Sequence, residues 1–419
     1  MVESQDAKQP DASELERYAA LLDEARRIKG TSLWQDAWRR LKRNRLAMIS
    51  LWCLVAVAML AAFAPLLPLQ SPLDKDLKDR KNLAPGFRGQ RYWVKLGERS
   101  DLRFASDSLT AELAKFDDEV AELKTKVRAA SGTDREQLLG ELDGKIHNSD
   151  PLEKLWHNPG SIVRQLLRLR IMLFGDWCLP SLFGTDDLGR DVLSRVFWGA
   201  RVSLIVGIVA TLVSLLIGVT YGAVSGYLGG WIDSVMMRIV DILYSIPFIF
   251  IVIFIITILS AEETKAKMDA LGINQLTVFY VLIGAIYWLT MARVVRGQVI
   301  SLKTELFIDA AHVVGASRAR IVFQHLIPNV MSVVIVYLTL TIPAVMRFEA
   351  FLSFLGVGVQ APDVSWGLLV DEGVKAVTPI KIYWWLIAFS GGALAATLFS
   401  LNFLGDGLRD ALDPRMKNR

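Results

Sequence analysis

Six blocks of apolar residues alternate with polar segments along the chain. Each block is long enough to cross the ~30 Å hydrocarbon core of a bilayer, which takes about 20 helical residues. The blocks cover residues 46–67, 202–224, 236–260, 277–295, 329–351 and 382–404. The pattern predicts an all-α polytopic membrane protein with six transmembrane helices.

Basic residues mark one side of these six spans. They are concentrated in the N-terminal arm 1–45, in the loop after the fourth span and in the tail 406–419. Lysine and arginine are enriched in cytoplasmic segments close to membrane spans. An even number of spans returns the chain to its starting side, so we expect both termini and the loop 299–328 in the cytoplasm. The arm also has the helical spacing of an amphipathic helix.

The longest polar segment, residues 68–185, separates the first span from the five-helix core at 186–405. This topology places the segment outside the cytoplasm, as an extracytoplasmic insertion. Six of its apolar residues follow the four-and-three spacing of a helical seam: Leu109, Leu113, Phe116, Val120, Leu123 and Val127. A second helical pattern follows a break at Ser131, so we expect a helical hairpin over about 107–147. It is either a docking surface for an outside partner or a passive insertion.

Composition agrees with a membrane protein and excludes a soluble single-domain enzyme. Of 419 residues, 53% are hydrophobic and 21% are charged, and the mean hydropathy is +0.36. The formal net charge of +4 is small, and no nucleic-acid partner is expected. Two cysteines and four histidines are scattered without ligand spacing. Neither a disulfide framework nor a metal site is therefore expected.

Motifs for catalysis are missing from the sequence. There is no H-E-x-x-H or G-x-S-x-G pattern, which argues against a polytopic membrane enzyme. Gly184 and Gly189 have the spacing of a phosphate-binding loop, but Arg190 and Asp191 stand where lysine and serine or threonine are needed. We assign no catalytic residue and no bound cofactor, and any ATP and Mg²⁺ would be bound by other subunits.

The loop 299–328 contains an ordered set of small and charged residues. The pattern predicts a helix, a turn that glycine permits, a second short helix and a proline that opens the next span. Small residues let another surface approach closely, and the acid at position 309 offers one charge to a cationic partner. A helix-turn-helix fixed at both ends to membrane spans would carry motion from a cytosolic partner into the membrane. The candidate residues are Glu305, Asp309, Ala310, Ala311, Gly315, Ala316 and Pro328.

Small and kinking residues within the spans predict how helices pack and bend. Gly218, Gly222 and Gly226 are spaced four apart, which predicts close packing of the second span against a neighbouring helix. Pro247 and Pro343 predict kinks in the third and fifth spans.

Ionisable residues inside a span are costly and usually face a cavity or each other. Arg347 and Glu349, near the outer end of the fifth span, are with Pro343 the candidates for a gate or translocation path. Snorkelling of Arg347 to the outer headgroups is the alternative. Near the inner end of the third span, Arg238 and Asp241 are expected to form a local pair one turn apart.

Four stretches in this order resemble the C-type permease subunit of dipeptide, oligopeptide and nickel ABC importers. They are residues 183–195, the loop 305–329, residues 353–367 and residues 404–415. The second resembles the EAA loop of that family, with Asp309 in place of the family's glutamate. The resemblance covers about 31–72 and 181–415, so the arm 1–30 and most of the insertion depart from it.

The resemblance implies a transporter of two permeases and two ATPases in the inner membrane of a bacterium or archaeon. A homologous second permease would complete the membrane unit, and an external solute-binding protein would deliver small peptides for inward movement by alternating access. A nickel importer of the same family and a membrane scaffold that uses its outer hairpin are the remaining alternatives. Peptide length, and whether the cargo is a peptide, stay open at this point.

Overall fold

The computed structural model describes residues 33–412 apart from 79, 87–93, 96–108, 132, 158, 260, 262, 265–266 and 269–274. Its helices before the core are Leu33–Arg43 (α1), Arg45–Phe63 (α2), Leu109–Ala129 (α3), Thr133–Asn148 (α4) and Ser161–Phe174 (α5). Those of the core are Val192–Leu228 (α6), Gly230–Ser245 (α7), Phe248–Leu259 (α8), Gln275–Leu302 (α9), Leu306–Val313 (α10), Arg318–Arg320 (α11), Ile327–Phe354 (α12), Trp366–Lys375 (α13) and Trp384–Leu412 (α14). Two short antiparallel strands, Val94–Lys95 (β1) and Trp177–Cys178 (β2), also pair.

The all-α polytopic fold is confirmed, with one difference in the third span. Five helical stretches are long and apolar enough to cross a membrane: α2, α6, α9, the stretch Arg318–Phe354 and α14. The sixth is the pair α7 and α8, which meet at an angle of 76°. The break lies at Pro247, whose ring excludes a continuous helix through this point. The third span is therefore broken, not a single helix over 236–260.

Two spans extend beyond their apolar blocks. Helix α6 begins at Val192, well before residue 202, because Asp191 accepts a hydrogen bond from the Ser194 N–H at 2.8 Å and caps the helix. Helix α14 continues through Leu412, so the first part of the predicted tail is helical. The remaining residues of the tail, 413–419, and the amphipathic helix expected within 1–30 lie outside the described residues.

The described part of the arm packs under the end of α14. Ala37 and Leu41 of α1 are buried with Ala47 of α2 and Ala411 of α14. Asn44 ends α1 and caps α2, since its side chain accepts from the Ala47 N–H at 3.2 Å. The first and last spans are thereby joined at one end.

Helices α6 and α9 form the most closely packed pair in the core, and glycines permit their approach. A Cβ atom built on Gly218 would lie 2.6 Å from the Met291 Cβ, and one built on Gly226 would lie 2.9 Å from the Arg296 carbonyl oxygen. At Gly222 the obstructing atoms belong to the backbone of Ala292. The three glycines thus lie along the contact with α9, where only a hydrogen atom fits.

The insertion folds around its own apolar cluster. All six residues of the seam on α3 are buried, and α4 returns antiparallel after a short turn. Helix α5 was not anticipated from the sequence. Leu167 and Ile171 of α5 join the cluster, which reaches the core where Trp156 stacks on Trp198 of α6 with ring centroids 4.1 Å apart. The hairpin is therefore fixed to the extended first turns of α6.

Candidate functional site

The loop between α9 and α12 has a defined turn at Gly315. Helix α10 ends there in the left-handed conformation, with a φ of +84° at the glycine. The Ala316 N–H donates to the Ala311 carbonyl at 3.0 Å, and the Gly315 N–H donates to the His312 carbonyl at 2.9 Å. This pair of hydrogen bonds is the Schellman motif, which satisfies carbonyls that a helix end leaves free. Gly315, Ala311 and Ala316 therefore act together as the corner of the loop.

The second helix of the loop is continuous with the fifth span. Residues Arg318–Phe354 form one helical stretch, of which Ile321–Leu326 is π-helical, and Pro328 lies in the first turn of α12. The sequence predicted a separate short helix before this proline. Inside this stretch Pro328 cannot donate a backbone hydrogen bond to the preceding turn. The π-helical turns Ile321–Leu326 come just before it, and the helix continues through both. A displacement of the loop at residue 318 would act directly on the span.

Buried residues hold the loop against two other spans. Ile308 of α10, Ile321 and Leu326 pack in one cluster with Val219 of α6 and Val295 of α9. Below them Arg296 donates to Asp233 through two hydrogen bonds of 2.6 Å each, and the Ser225 hydroxyl donates to the same carboxylate at 2.5 Å. The loop is a rigid part of the helical bundle.

The opposite side of the loop exposes apolar and small residues. Leu306, Val313 and Val314 are 83%, 88% and 87% exposed. Of the residues selected from the sequence, Glu305, Asp309, Ala310, Gly315 and Pro328 are exposed, whereas Ala311 and Ala316 are half-buried. The sequence analysis selected the small and acidic positions of the loop and did not predict these exposed apolar residues. We call the surface of Leu306, Asp309, Ala310, Val313 and Val314 the loop patch.

The prediction of a local pair between Arg238 and Asp241, near the inner end of the third span, is wrong. Asp241 accepts from the Arg293 guanidinium of α9 at 2.9 Å instead of pairing with Arg238. The guanidinium of Arg293 also lies 4.4 Å from the ring centroid of Tyr244. A planar guanidinium that stacks and donates at once outcompetes a mobile side chain one turn away on the same helix.

The candidates on the fifth span do not form one cluster. Glu349 is fully buried, and its Oε1 accepts from Ser353 at 2.8 Å and from Ser365 at 2.7 Å. Arg347 is exposed and makes no hydrogen bond or salt bridge within the described part of the chain. Positions two apart on a helix differ by about 200°, so Arg347 and Glu349 face opposite sides. Pro343 is buried within α12.

Glu349 connects the fifth span to the helix that follows it. The Ser365 hydroxyl donates to Glu349 and accepts from the Leu368 N–H at 3.1 Å, so it caps α13. The next residue, Trp366, donates its backbone N–H to Ser203 of α6 at 3.0 Å. One carboxylate thus fixes the start of α13 between α12 and α6.

A buried ion cluster that the sequence analysis missed joins the start of α6 to α13. Asp186 accepts from Arg190 at 2.7 Å and from Arg195 at 2.6 Å. Glu372 of α13 accepts from Arg195 at 2.5 Å and from Arg190 at 3.1 Å. Burial raises the pKa of the Glu372 carboxyl, but Arg195 and Arg190 outweigh it and hold that pKa below its ordinary value.

The charges of this cluster balance. Two carboxylates and two guanidinium groups share four hydrogen-bonded contacts, which is how buried charges avoid the cost of desolvation. Three members lie within residues 186–195, but the fourth lies 177 residues after Arg195. The segment 183–195 stood out in the sequence for its resemblance to the permease family. Spacing along the chain gave no indication that Glu372 would be its partner. No group of three or more metal-ligating side chains occurs within the described residues.

Comparisons with known proteins bear on these features. Residues 218–418 match the sequence profile of the binding-protein-dependent transport system inner membrane component, and residues 32–85 match that of the N-terminal transmembrane domain of oligopeptide transport permease C. The oligopeptide transport system permease protein OppC of Salmonella typhimurium is 46% identical over an alignment of 298 residues, which covers 66% of this chain and 93% of the relative. The chain belongs to the binding-protein-dependent transport permeases. The expected family and a multi-pass membrane location are thereby confirmed for this permease.

Other relatives carry the same kinds of name. The OppC protein of Escherichia coli is 44% identical over an alignment of 298 residues, which covers 66% of this permease and 93% of that protein. The dipeptide transport system permease protein DppC of Bacillus subtilis is 41% identical over 263 residues, which are 62% and 76% of the two chains. The two profiles leave residues 86–217 of the permease unmatched, and this stretch contains α3, α4 and α5.

Proposed function

We propose that this permease is one of two membrane subunits of an ATP-driven importer of small peptides. The observation that carries the proposal is the loop patch, an exposed apolar surface on a loop that is rigidly joined to the spans. Relatives at 46% and 41% identity are named as oligopeptide and dipeptide permeases, which supports a peptide cargo. In this arrangement both termini and the loop patch face the cytoplasm, and the insertion faces outward.

The loop patch has the chemistry of a docking site for a cytosolic ATPase subunit. Contiguous exposed apolar residues on a membrane protein's polar side mark a protein interface. Ala310 permits close approach, and Asp309 supplies one negative charge for a basic residue of the ATPase. Each permease of the pair would hold one ATPase, which would bind the ATP and Mg²⁺.

Motion would pass from the loop patch to the far end of the fifth span. The stretch Arg318–Phe354 is continuous and about 55 Å long at 1.5 Å per residue, so a displacement at one end is passed along the span. Near its far end Glu349 holds the start of α13, and Glu372 of α13 holds α6 through Arg195. Closure of the ATPases would thereby displace α13 and α6 at the opposite end of the bundle.

The exposed face of α12 supports a paired subunit or a central path beside it. Leu340, Arg347, Phe351 and Phe354 are all exposed and lie at helical spacing on one side. An arginine at this depth is too costly against lipid unless it reaches water, a partner or the headgroups. A homologous permease packed here would place Arg347 at the path between the two subunits.

Co-purification and uptake test the proposal. Val313→Asp places a charge in the loop patch, whereas Leu139→Asp places one at a leucine of the insertion that is 44% exposed. We expect Val313→Asp to reach the membrane normally but to bind the ATPases at least about 10-fold more weakly, as for a hot-spot residue. Leu139→Asp should retain them. Equal ATPase recovery with both variants would refute the docking role.

The cargo is tested separately in proteoliposomes that contain the whole transporter and its binding protein. ATP-dependent accumulation of labelled tri- and tetrapeptides, without accumulation of labelled nickel, is the expected result. Accumulation of nickel alone would replace peptides as the cargo and leave the coupling role intact.

A further inference from the structure

Helix α5 of the insertion has apolar side chains on two opposite faces. Leu167 and Ile171 are buried in the cluster of the insertion. The other face exposes Ile162 by 73%, Leu169 by 42%, Met172 by 84% and Leu173 by 60%. At 100° per residue these four side chains fall within an arc of about 100°. Gln165 is the fifth exposed residue within this arc, so four of its five side chains are apolar. So large an exposed apolar share on one face of a helix marks contact with something other than water.

Hydrogen bonds fix the depth of α5 relative to the bilayer. The Arg170 guanidinium, which is buried, donates to the Leu69 carbonyl at 2.6 Å. The Leu179 N–H donates to the Pro68 carbonyl at 2.7 Å. Pro68 follows closely on Phe63, the last residue of the first span. The C-terminal turns of α5 therefore lie at the level where α2 leaves the membrane.

The surroundings of this end of α5 are those of a membrane boundary. Trp177, three residues after the helix, is 42% exposed, and tryptophan is enriched at the headgroup level. At the end of α2, Met59, Leu60 and Phe63 are themselves exposed by 53%, 41% and 39%, as expected of side chains in contact with lipid. A lipid-exposed apolar surface thus occurs at the same depth as the outer face of α5.

The charged side of the insertion points to the opposite environment. Arg164 of α5 is bound to Asp150 at 2.8 Å, and Arg168 is bound to Asp117 of α3 at 2.6 Å. These pairs hold both guanidinium groups against other parts of the insertion. Arg164 lies well outside the arc of Ile162, Leu169, Met172 and Leu173, and Arg168 borders it at about 40° from Met172. The helix is thereby amphipathic with respect to its outer environment, as interfacial helices are.

We propose that α5 is an interfacial helix whose outer face is embedded in the lipid bilayer beside the first span. Leu169, Met172 and Leu173 occupy the boundary between headgroups and acyl chains, with Trp177 at headgroup level. Because α5 shares its buried face with α3, this attachment sets the orientation of the whole hairpin relative to the membrane. The inference requires only that α2 spans the membrane. Its test therefore does not depend on which cargo is transported or on whether the loop patch binds the ATPases.

Spin labels at matched positions test the proposal in the assembled transporter. Cys53→Ala and Cys178→Ala provide a background without native cysteines, whose uptake is compared with that of the unaltered protein. Labels are then placed by Met172→Cys, by Leu139→Cys on the hairpin and by Met59→Cys as a membrane reference. Relaxation by oxygen, which concentrates in lipid, is compared with relaxation by a water-soluble nickel chelate in phosphatidylcholine nanodiscs.

The label at position 172 should resemble the one at position 59, with a ratio of oxygen to chelate accessibility several-fold above that at position 139. Leu173→Cys, on the same face, should repeat this result if Met172→Cys folds poorly. A ratio at position 172 equal to that at position 139 would place the face in water. Protection from both reagents would place it under a protein, and either result would overturn the proposal.

Discussion

The packing of α6 on α9 makes a sharp prediction for Gly222→Ala. The added methyl group would meet the Ala292 carbonyl group, whose carbon and the adjoining Cα lie 3.0 Å from the Cβ position. Real Cβ atoms rarely approach so closely, and backbone atoms cannot rotate away as a side chain can. The two helices must therefore separate along their closest contact.

The balance of energies favours a net loss. Alanine is better than glycine in a helix interior by about 1 kcal/mol. Overpacking a tight core costs about 1–3 kcal/mol, and here the upper part of that range applies because the clash is with backbone on a facing helix. We expect Gly222→Ala to lower the free energy of unfolding by about 1–2 kcal/mol.

Gly392→Ala in α14 is the matched control, because no heavy atom lies within 4 Å of its Cβ position. It should gain stability or leave it unchanged. Thermal unfolding of both variants in one detergent, with uptake measured in parallel, gives the comparison. An unfolding midpoint for Gly222→Ala equal to or above that of Gly392→Ala would refute the reasoning. Ala292→Gly should not rescue Gly222→Ala, since the obstructing atoms belong to the backbone.

Three further substitutions probe the turn, the buried acid and the ion cluster. At Gly315 an added Cβ atom meets no atom within 4 Å, so the main cost of Gly315→Val is backbone strain of about 1–2 kcal/mol at a φ of +84°. Uptake should fall with normal membrane insertion, while Gly297→Ala, in helix α9, should keep it. Glu349→Ala leaves two buried serine hydroxyls without their acceptor, which costs about 1–3 kcal/mol each and should lower the folded yield on size-exclusion chromatography. Glu349→Gln retains an acceptor oxygen and should recover most of that yield. Because the pKa of Glu372 is lowered in the folded state, its contribution is present above its ordinary pKa of 4.5 and is lost as pH falls through the lower folded value. The unfolding midpoint of Glu372→Gln should therefore fall less than that of the unaltered protein on acidification below about pH 4.5.

Periodicity predicted most helices because each is determined by neighbours along the chain. The seam from Leu109 to Val127 is buried as its spacing requires, and the glycine at position 315 has the positive φ that the predicted turn needs. The bend at Pro247 was expected as a kink, but its size of 76° does not follow from the presence of one proline. Helix α5 was overlooked because its apolar residues occupy two opposite faces, which gives neither a single apolar stripe nor the length of a full span.

The spacing of residues along the chain did not predict the contacts between separate elements. Arg347 and Glu349 are two residues apart and suggested one charged site, yet the helix turns them to opposite sides. Glu349 instead accepts from Ser365, and the cluster of Arg195 needs Glu372, a carboxylate on an element that had not been foreseen. Both partners belong to the segment after the fifth span, where α13 packs back on α6. A buried ionisable side chain in a span thus predicts that some polar partner exists, because burial without one is costly. Which residue is the partner is decided by the fold.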